Sequence, residues 1–400
     1  MIHMQLNSSE LTYVIGNAGI VEQMPQLPVF QPFSNEMITF LNELSRKLLK
    51  TGKAYSDVMT FGFWCRRSAL LKEKDKYTNL NRRLGRGIIF HSTPSNVAVN
   101  FAFSFATGLL AGNANIVRLP VKPYAQVDII CQAINKLLKD DFINFAPYIC
   151  MVKFPPVREI IDVFSAICDT RIIWGGDMTV AELRKSPLKA RANEVTFADR
   201  HSIAAIDADE YLKAEDKDRI AQDFYNDTYF TDQNACTSPC LIVWLGKDKE
   251  KAKKEFWERT HALAKEKYSM AAVQSVGKLS AICRVAAQKD GIRLIESEDN
   301  LVTRVACESI DKDLSVFKYN SGFFFEYDAD NLNELLPICT EPCQTLIYYG
   351  VSKQDMINFV SEYRPRGIDR IVPMGKSMDF SLVWDGYDLI KSLSRELIIN

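Results

Sequence analysis

Between residues 87 and 174 the chain changes its hydrophobic period repeatedly: short apolar runs alternate with stretches whose apolar residues recur every three or four positions. Gly87-Ile88-Ile89-Phe90-His91 reads as a strand, 97–110 as a helix and Asn115-Ile116-Val117-Arg118-Leu119 as the next strand. Val127, Ile130, Cys131, Ile134, Leu137 and Leu138 fall on one face of a following helix. A strand over 149–154, a helix over 159–168 entered through Pro155-Pro156, and a strand over 171–174 complete the series. Strands joined by helical crossovers predict an α/β fold with a doubly wound parallel sheet. Such sheets bind ligands where loops leave the carboxyl ends of their strands. Two loops at such ends stand out, Ser92-Thr93-Pro94-Ser95-Asn96 and Gly175-Gly176-Asp177, each ahead of an expected helix.

After Arg200 the rhythm restarts with a strand over 202–206, a charged stretch over 207–219 and an amphipathic helix from Ile220. Cys240 to Leu245 is a further apolar strand, and 247–267 a charged helix with Phe256, Trp257, Leu263 and Ala264 on its less polar side. The expected division is 1–200, 201–366 and a tail over 367–400. That tail contains Trp384-Asp385-Gly386-Tyr387 and is too apolar for a free linker, so it is expected to pack on the body or on a partner subunit.

Composition narrows the function classes. Four hundred residues with 49 Lys plus Arg against 50 Asp plus Glu give a net charge of -1, which provides no field for nucleic acid or an anionic membrane. The most membrane-like stretch, 97–112, is too short to span a bilayer and is interrupted by Asn100, Ser104 and Thr107. Residues 1–28 lack the basic start, apolar run and cleavage site of a secretory signal. Ten cysteines without a paired spacing framework suit reduced thiols, and a cytoplasmic setting is expected.

Neither Gly-x-Gly-x-x-Gly nor Gly-x-x-x-x-Gly-Lys-Ser/Thr occurs after an expected strand, so a nucleotide needs another cradle. Gly175-Gly176-Asp177 offers one, because glycines let backbone approach a phosphate and the next helix points its positive end at it; an ordinary tight turn is the plainer reading. Cys236, in Asp232-Gln233-Asn234-Ala235-Cys236-Thr237-Ser238-Pro239, has small polar neighbours that suit an exposed nucleophile able to carry an acyl group, although most cysteines are buried hydrophobes. Cys236-Thr237-Ser238-Pro239-Cys240 and Cys339-Thr340-Glu341-Pro342-Cys343 could instead give four thiolates to a structural zinc. Asn96 could donate to an oxyanion or cap a helix. Glu194 could act as base or proton relay, or be a solvated carboxylate, and Arg118 could grip a phosphate or form a surface ion pair.

Taken in order, these segments resemble the acyl-CoA reductase family typified by the fatty acid reductase of bacterial bioluminescence, within the aldehyde dehydrogenase superfamily. The likeness is carried by GIIFHSTPSNVAVNFAFSFATGLLAGNANIVRLP from Gly87, WGGDMTVAELR from Trp174, NEVTFADRHS from Asn193 and FYNDTYFTDQNACTSP from Phe224. The resemblance implies an aldehyde dehydrogenase-like fold of two doubly wound α/β domains, 1–200 with an N-terminal segment and binding the cofactor and 201–366 catalytic, with NADPH, or NADH, held by Thr93, Pro94, Arg118, Gly175, Gly176 and Asp177. It implies acyl transfer to Cys236 from acyl-CoA or an acylated partner protein such as an acyl-protein synthetase, an oxyanion held by Asn96 and the Cys236 N–H, a site role for Glu194, and homo-oligomerisation. Val117-Arg118-Leu119-Pro120 stands where many relatives of the wider superfamily have Val-Met-Lys-Pro, and Gly175-Gly176-Asp177 replaces Gly-Ser-Thr; an arginine suits a 2′-phosphate. The rival readings are an aldehyde dehydrogenase running oxidatively and a non-catalytic, zinc-stabilised interaction protein.

Overall fold

The computed structural model describes residues 6–94 and 97–399. The chain divides into two compact units, one comprising residues up to Ala198 together with those from Tyr387 onward, the other Asp199–Gly386. The expected tail is thus shared, 367–386 belonging to the second unit and the remainder to the first.

In the first unit, β1 (Thr12–Ile15), β3 (Ile88–Ser92), β4 (Ala114–Arg118), β5 (Ile149–Lys153), β6 (Thr170–Trp174) and β7 (Asn193–Phe197) form a sheet in the order β1-β5-β4-β3-β6-β7. All neighbours are parallel except β1 on β5. β3 is buried at every position, which is why its sequence is a continuous run and not an alternation. The helix Asn100–Leu110 behind it is buried on nearly all sides. It begins later than its apolar run suggests, with Val99 at the cap position. A Cβ on Gly108 would stand 2.1 Å from Asn115 Oδ1, so glycine lets this helix approach β4 closely. His91, at full burial, bonds Ser104 Oγ at 2.8 Å through Nδ1 and Asn115 Oδ1 at 2.9 Å through Nε2. Burial pushes its imidazole down to about 4. The strand β2 (Arg83–Gly85) pairs antiparallel with Ser394–Glu396, and the buried Arg83 donates to Ser394 Oγ at 2.8 Å, tying the chain's last residues to this unit.

Strand order reverses at β3. The chain steps outward through β4 and β5, then returns to the other flank of β3 with β6 and β7, so the loops after β3 and β6 leave adjacent strands at a switch point.

The second unit contains β8 (His201–Asp207), β9 (Pro239–Leu245), β10 (Ile292–Ile295), β11 (Thr303–Cys307), β12 (Phe323–Asp328), β13 (Cys343–Tyr349) and β14 (Arg370–Pro373), ordered β10-β11-β12-β9-β8-β13-β14. Only β10 is antiparallel to its neighbour. Strand residues alternate between two cores: Ile203, Ala205, Leu241, Val243 and Leu346 face one, while Ala204, Ile206, Ile242, Trp244 and Ile347 face the other. The helix Lys249–Lys267 buries Ala252, Phe256, Trp257, Thr260 and Ala264 and leaves its charges outside. Register slips on both flanks of β8, leaving Gln344 extra on β13 and Cys240 extra on β9.

Candidate active site

Cys236 sits in the loop that enters β9, at the amino edge of the second sheet. Two consecutive residues of this loop, Asp232 (φ 55) and Gln233 (φ 56), adopt the left-handed conformation, which a non-glycine residue holds only when its surroundings enforce it. The enforcement is visible. Gln233 Oε1 accepts the N–H groups of Gly322 (2.9 Å) and Phe323 (3.0 Å), and its Nε2 donates to the carbonyls of Pro239 (3.0 Å) and Phe323 (2.9 Å). The Asp232 carboxylate accepts from Ser321 Oγ (2.8 Å), Gln274 Nε2 (2.7 Å) and the Tyr268 hydroxyl. Ser202 Oγ on β8 donates to the Cys236 carbonyl at 2.7 Å. The Cys236 loop is thereby fastened to β8, β9 and the entry of β12.

Cysteine exposure separates the thiols. Cys236 and Cys283 are exposed, and the other eight are buried. Cys236 is open as a residue, yet the protein crowded about its sulfur raises the thiol above its ordinary value; Asp385 adds to this, while Gln344 and Lys318 oppose it. Gln344, fully buried on its bulge, places Nε2 at 3.3 Å from Cys236 Sγ and donates from the same nitrogen to Asp385 Oδ1. Asp385 is 8% exposed, and burial pushes its carboxyl up to about 6, against the pull of Arg200, Gln344 and Arg370. Asp385 (φ 48) and Gly386 (φ 74) make a left-handed pair, and a Cβ on Gly386 would come within 2.9 Å of Asp369 Oδ1.

The loop preceding Asp385 hangs on two buried charges of opposite sign. Arg370 donates to the carbonyls of Ser377 (3.0 Å) and Asp379 (3.2 Å) and lies 4.1 Å from the Trp384 ring. Asp227 accepts from the N–H of Gly375 (2.6 Å) and from Ser377 N (3.0 Å) and Oγ (2.8 Å). Sequence reasoning missed Gln344, Asp385 and Asp227. Gln344 takes its place through a bulge, and the Trp384-Asp385-Gly386 stretch reads in the sequence as a tail segment packing on the body or on a partner subunit.

In the first unit, Thr93 and Pro94 follow β3, Arg118 ends β4, and Gly175 and Gly176 follow β6, all at the carboxyl edge. Thr93 Oγ1 donates to the Arg118 carbonyl at 2.6 Å. The Arg118 guanidinium donates to the Phe154 carbonyl (3.3 and 3.2 Å) and stands 4.7 Å from that residue's ring. Gly176 occupies the cap position of the helix Asp177–Arg184 with no side chain capping it, and a Cβ on Gly175 would meet Thr179 at 3.0 Å. An uncapped helix start and a glycine turn at a switch point suit a nucleotide's phosphates. Asn96 lies outside the described residues; the helix that follows takes its cap from Val99. Glu194, in β7, is engaged on both oxygens: Oε2 accepts from Arg171 Nε at 2.8 Å and from Nη2, and Oε1 accepts from Arg184 Nε at 2.8 Å. Arg171 is buried and also donates to Ser165 Oγ and the carbonyls of Leu183 and Ser186.

Among the described residues no group of three or more His, Cys, Asp or Glu side chains is placed to hold a metal, so the two Cys-x-x-x-Cys segments do not assemble a zinc site there. No helix among them is long and apolar enough to cross a membrane.

Solved structures with the same fold include a salicylaldehyde dehydrogenase from Pseudomonas putida G7 (TM-score 0.65, 12% identity, 98% of this chain and 88% of that one). An NAD-dependent benzaldehyde dehydrogenase from Corynebacterium glutamicum (0.63, 13%, 98% and 95%) and aldehyde dehydrogenase 21 from Physcomitrella patens (0.59, 11%, 98% and 83%) are similar to the same extent. No curated protein sequence matches. A family model for acyl-CoA reductase (LuxC) matches residues 22–396, nearly the whole length. With that match and this fold, the chain belongs to the acyl-CoA reductase (LuxC) family and is an oxidoreductase of aldehyde and acyl groups built on the aldehyde dehydrogenase fold.

Proposed function

We propose that the protein is an NADPH-dependent reductase that converts a fatty acyl thioester to the aldehyde through an acyl group carried on Cys236. The observation that supports this most strongly is Cys236 itself: an exposed thiol on a loop fastened at both sides, with an amide N–H donor beside its sulfur. The Cys236 sulfur attacks the acyl carbon of acyl-CoA, or of an acylated partner protein, and the carrier thiolate departs as the new C–S bond forms. A nicotinamide bound at the first unit's carboxyl edge would supply the hydride for the acyl carbon. Cleavage of the Cys236 C–S bond then returns the sulfur to the enzyme and releases the aldehyde. Asn96 and the Cys236 N–H are the proposed donors to the oxyanion that forms on the acyl oxygen in both steps.

Thr93, Pro94, Arg118, Gly175, Gly176 and Asp177 would hold the cofactor, the glycines and helix start taking its pyrophosphate and Arg118 favouring a 2′-phosphate. Glu194, bonded to two guanidiniums, keeps β7 in place beside this edge, and no water need be activated in a reductive cycle. The test is to incubate purified protein with radiolabelled fatty acyl-CoA, then add NADPH or NADH. Label on the wild type, none on Cys236→Ala, and aldehyde formed at higher kcat/KM with NADPH are expected. Label retained by Cys236→Ala contradicts the nucleophile, and equal kcat/KM for the two cofactors contradicts the NADPH preference.

A further inference from the structure

Two buried polar side chains at the amino edge of the second sheet, Gln344 and Asp385, are assigned no role in the steps above. Gln344 is the extra residue of the bulge between β13 and β8, and a bulge re-aims the side chain it carries. Its Nε2 lies 3.3 Å from Cys236 Sγ and donates to Asp385 Oδ1. A carboxamide carries both hydrogens on nitrogen and none on oxygen, whereas a carboxylate only accepts. Asp385 therefore selects the nitrogen end of the amide, and the second hydrogen of that nitrogen is left for the sulfur. The amide oxygen accepts from Thr345 Oγ1 at 3.4 Å, in agreement with this orientation. Asp385 is fixed in turn by its left-handed turn with Gly386 and by the Arg370–Trp384 contact just before it.

We propose that Gln344 is a catalytic N–H donor to the sulfur of Cys236 and that Asp385 is the positioning residue that keeps the amide's nitrogen, not its oxygen, against the thiolate. This deepens the reading above and rests on Cys236 being its nucleophile. Negative charge resides on the sulfur twice per turnover, when the thiol gives up its proton ahead of attack on the acyl carbon and when the C–S bond breaks to free the aldehyde. An N–H donor stabilises the charge both times, and no bond to Gln344 forms or breaks. An amide oxygen in the same place would repel it.

The charged and titratable groups around this pair are Asp369, Arg200, Arg370 and Lys318. Arg200 binds Asp369 at 2.6 Å, Lys318 donates to the Arg200 carbonyl at 2.6 Å, and Arg370 is engaged by the loop carbonyls and Trp384. With its carboxyl pushed up to about 6, Asp385 is ionised at pH 8 and acts only as an acceptor. Below pH 6 its proton makes it a donor that can turn the amide oxygen inward.

The test is the pH dependence of Cys236 alkylation by iodoacetamide, measured in full-length protein with Cys283→Ser so that one exposed thiol reports. Gln344→Leu is expected to raise the midpoint by about one pH unit or more and to slow alkylation at pH 7.5 about tenfold, as loss of a hydrogen bond to a charged group requires. Gln344→Glu, of the same shape but without the N–H donors, is expected to raise it further. Asp385→Asn keeps a residue type that tolerates the left-handed turn while removing the obligatory acceptor. Its direct charge effect cancels in a double-mutant cycle. Asp385→Asn is expected to be at least about threefold more harmful with Gln344 present than in the Gln344→Leu background. An unmoved midpoint in folded Gln344→Leu and Gln344→Glu, or an equal Asp385→Asn effect in both backgrounds, overturns the proposal. Alkylation needs neither acyl donor nor cofactor, so the two readings fail separately. Shifted alkylation without acyl labelling defeats only the acyl reductase reading; intact acyl labelling with unmoved alkylation defeats only this one.

Discussion

The two sheets are built alike, and their candidate site residues lie at opposite edges, carboxyl in the first and amino in the second. In the first, the glycine turn and the loop after β3 leave the carboxyl ends of adjacent strands at the point where strand order reverses. In the second, Cys236 enters β9 and Gln344 enters β13 from the amino edge, where a pinned loop and a bulge supply the geometry that a switch point supplies in the first. Their buried polar groups differ in the same way. The first sheet encloses a neutral network around His91 and the Arg171–Glu194 pair, whereas the second encloses three carboxyls, Asp227, Glu326 paired with Arg304, and Asp385, the last linked through Gln344 to a thiol. At the amino edge of the second sheet there is no such switch point, and the Cys236 loop is held there by side chains that enforce strained backbone.

The sharpest way to break this comparison is Arg171→Met. It leaves Glu194 with Arg184 alone and removes the buried guanidinium that also satisfies Ser165 Oγ and the carbonyls of Leu183 and Ser186, so loss of about 3–5 kcal/mol of stability is expected. Denaturant unfolding measures it, and hydrogen exchange should place the loss in β6 and β7. Glu194→Gln should likewise lower stability while leaving the rate of Cys236 alkylation unchanged; a Glu194→Gln enzyme of full stability with a slowed thiol would instead make Glu194 the base.

The second effect is a pH response of opposite sign in the two units. His91 has a folded pKa of about 4, below its ordinary 6.5, so the unfolded chain takes the proton first. Its contribution is complete above 6.5 and falls as pH drops toward 4, by about 3 kcal/mol. Asp227 and Asp385 sit at about 6, above their ordinary 3.8, so the folded chain takes the proton first. Each adds up to about 3 kcal/mol as pH drops from 6 to 3.8, and loses it as pH rises through 6. Hydrogen exchange corrected for its intrinsic pH dependence should speed up in β3 and slow in β14 between pH 6.5 and 4.5. The same trend in both would end the contrast.

A smaller effect is expected at Ser202→Ala, which removes one hydrogen bond to the Cys236 carbonyl and should cost about 1 kcal/mol while loosening the Cys236 loop. Chemical denaturation reads the first, and exchange at 234–238 reads the second.

Much of this fold is written in the sequence because a strand buried on both faces must be an apolar run: β3, β4, β5, β6, β8 and β9 are all recognisable in that way. The charged helix Lys249–Lys267 is legible for the complementary reason, having one apolar side. Cys236 is legible from its small polar neighbours and its place before a strand. Gln344 is not, because a bulge adds one residue without a compositional mark, and Asp385 is not, because its meaning depends on a partner 41 residues away. Glu194 shows the reverse: its strand is predictable, but its two guanidinium partners come from β6 and the following helix.

The central claim is that an acyl group rides on Cys236. The most direct measurement is intact-protein and peptide mass spectrometry after incubation with fatty acyl-CoA in the absence of nicotinamide. The account predicts a single acyl mass gain, labile to hydroxylamine, on the peptide containing Cys236, absent from Cys236→Ala and discharged as aldehyde when NADPH is added. Aldehyde production by the Cys236→Ala protein, or a stable acyl group on another residue, would contradict it.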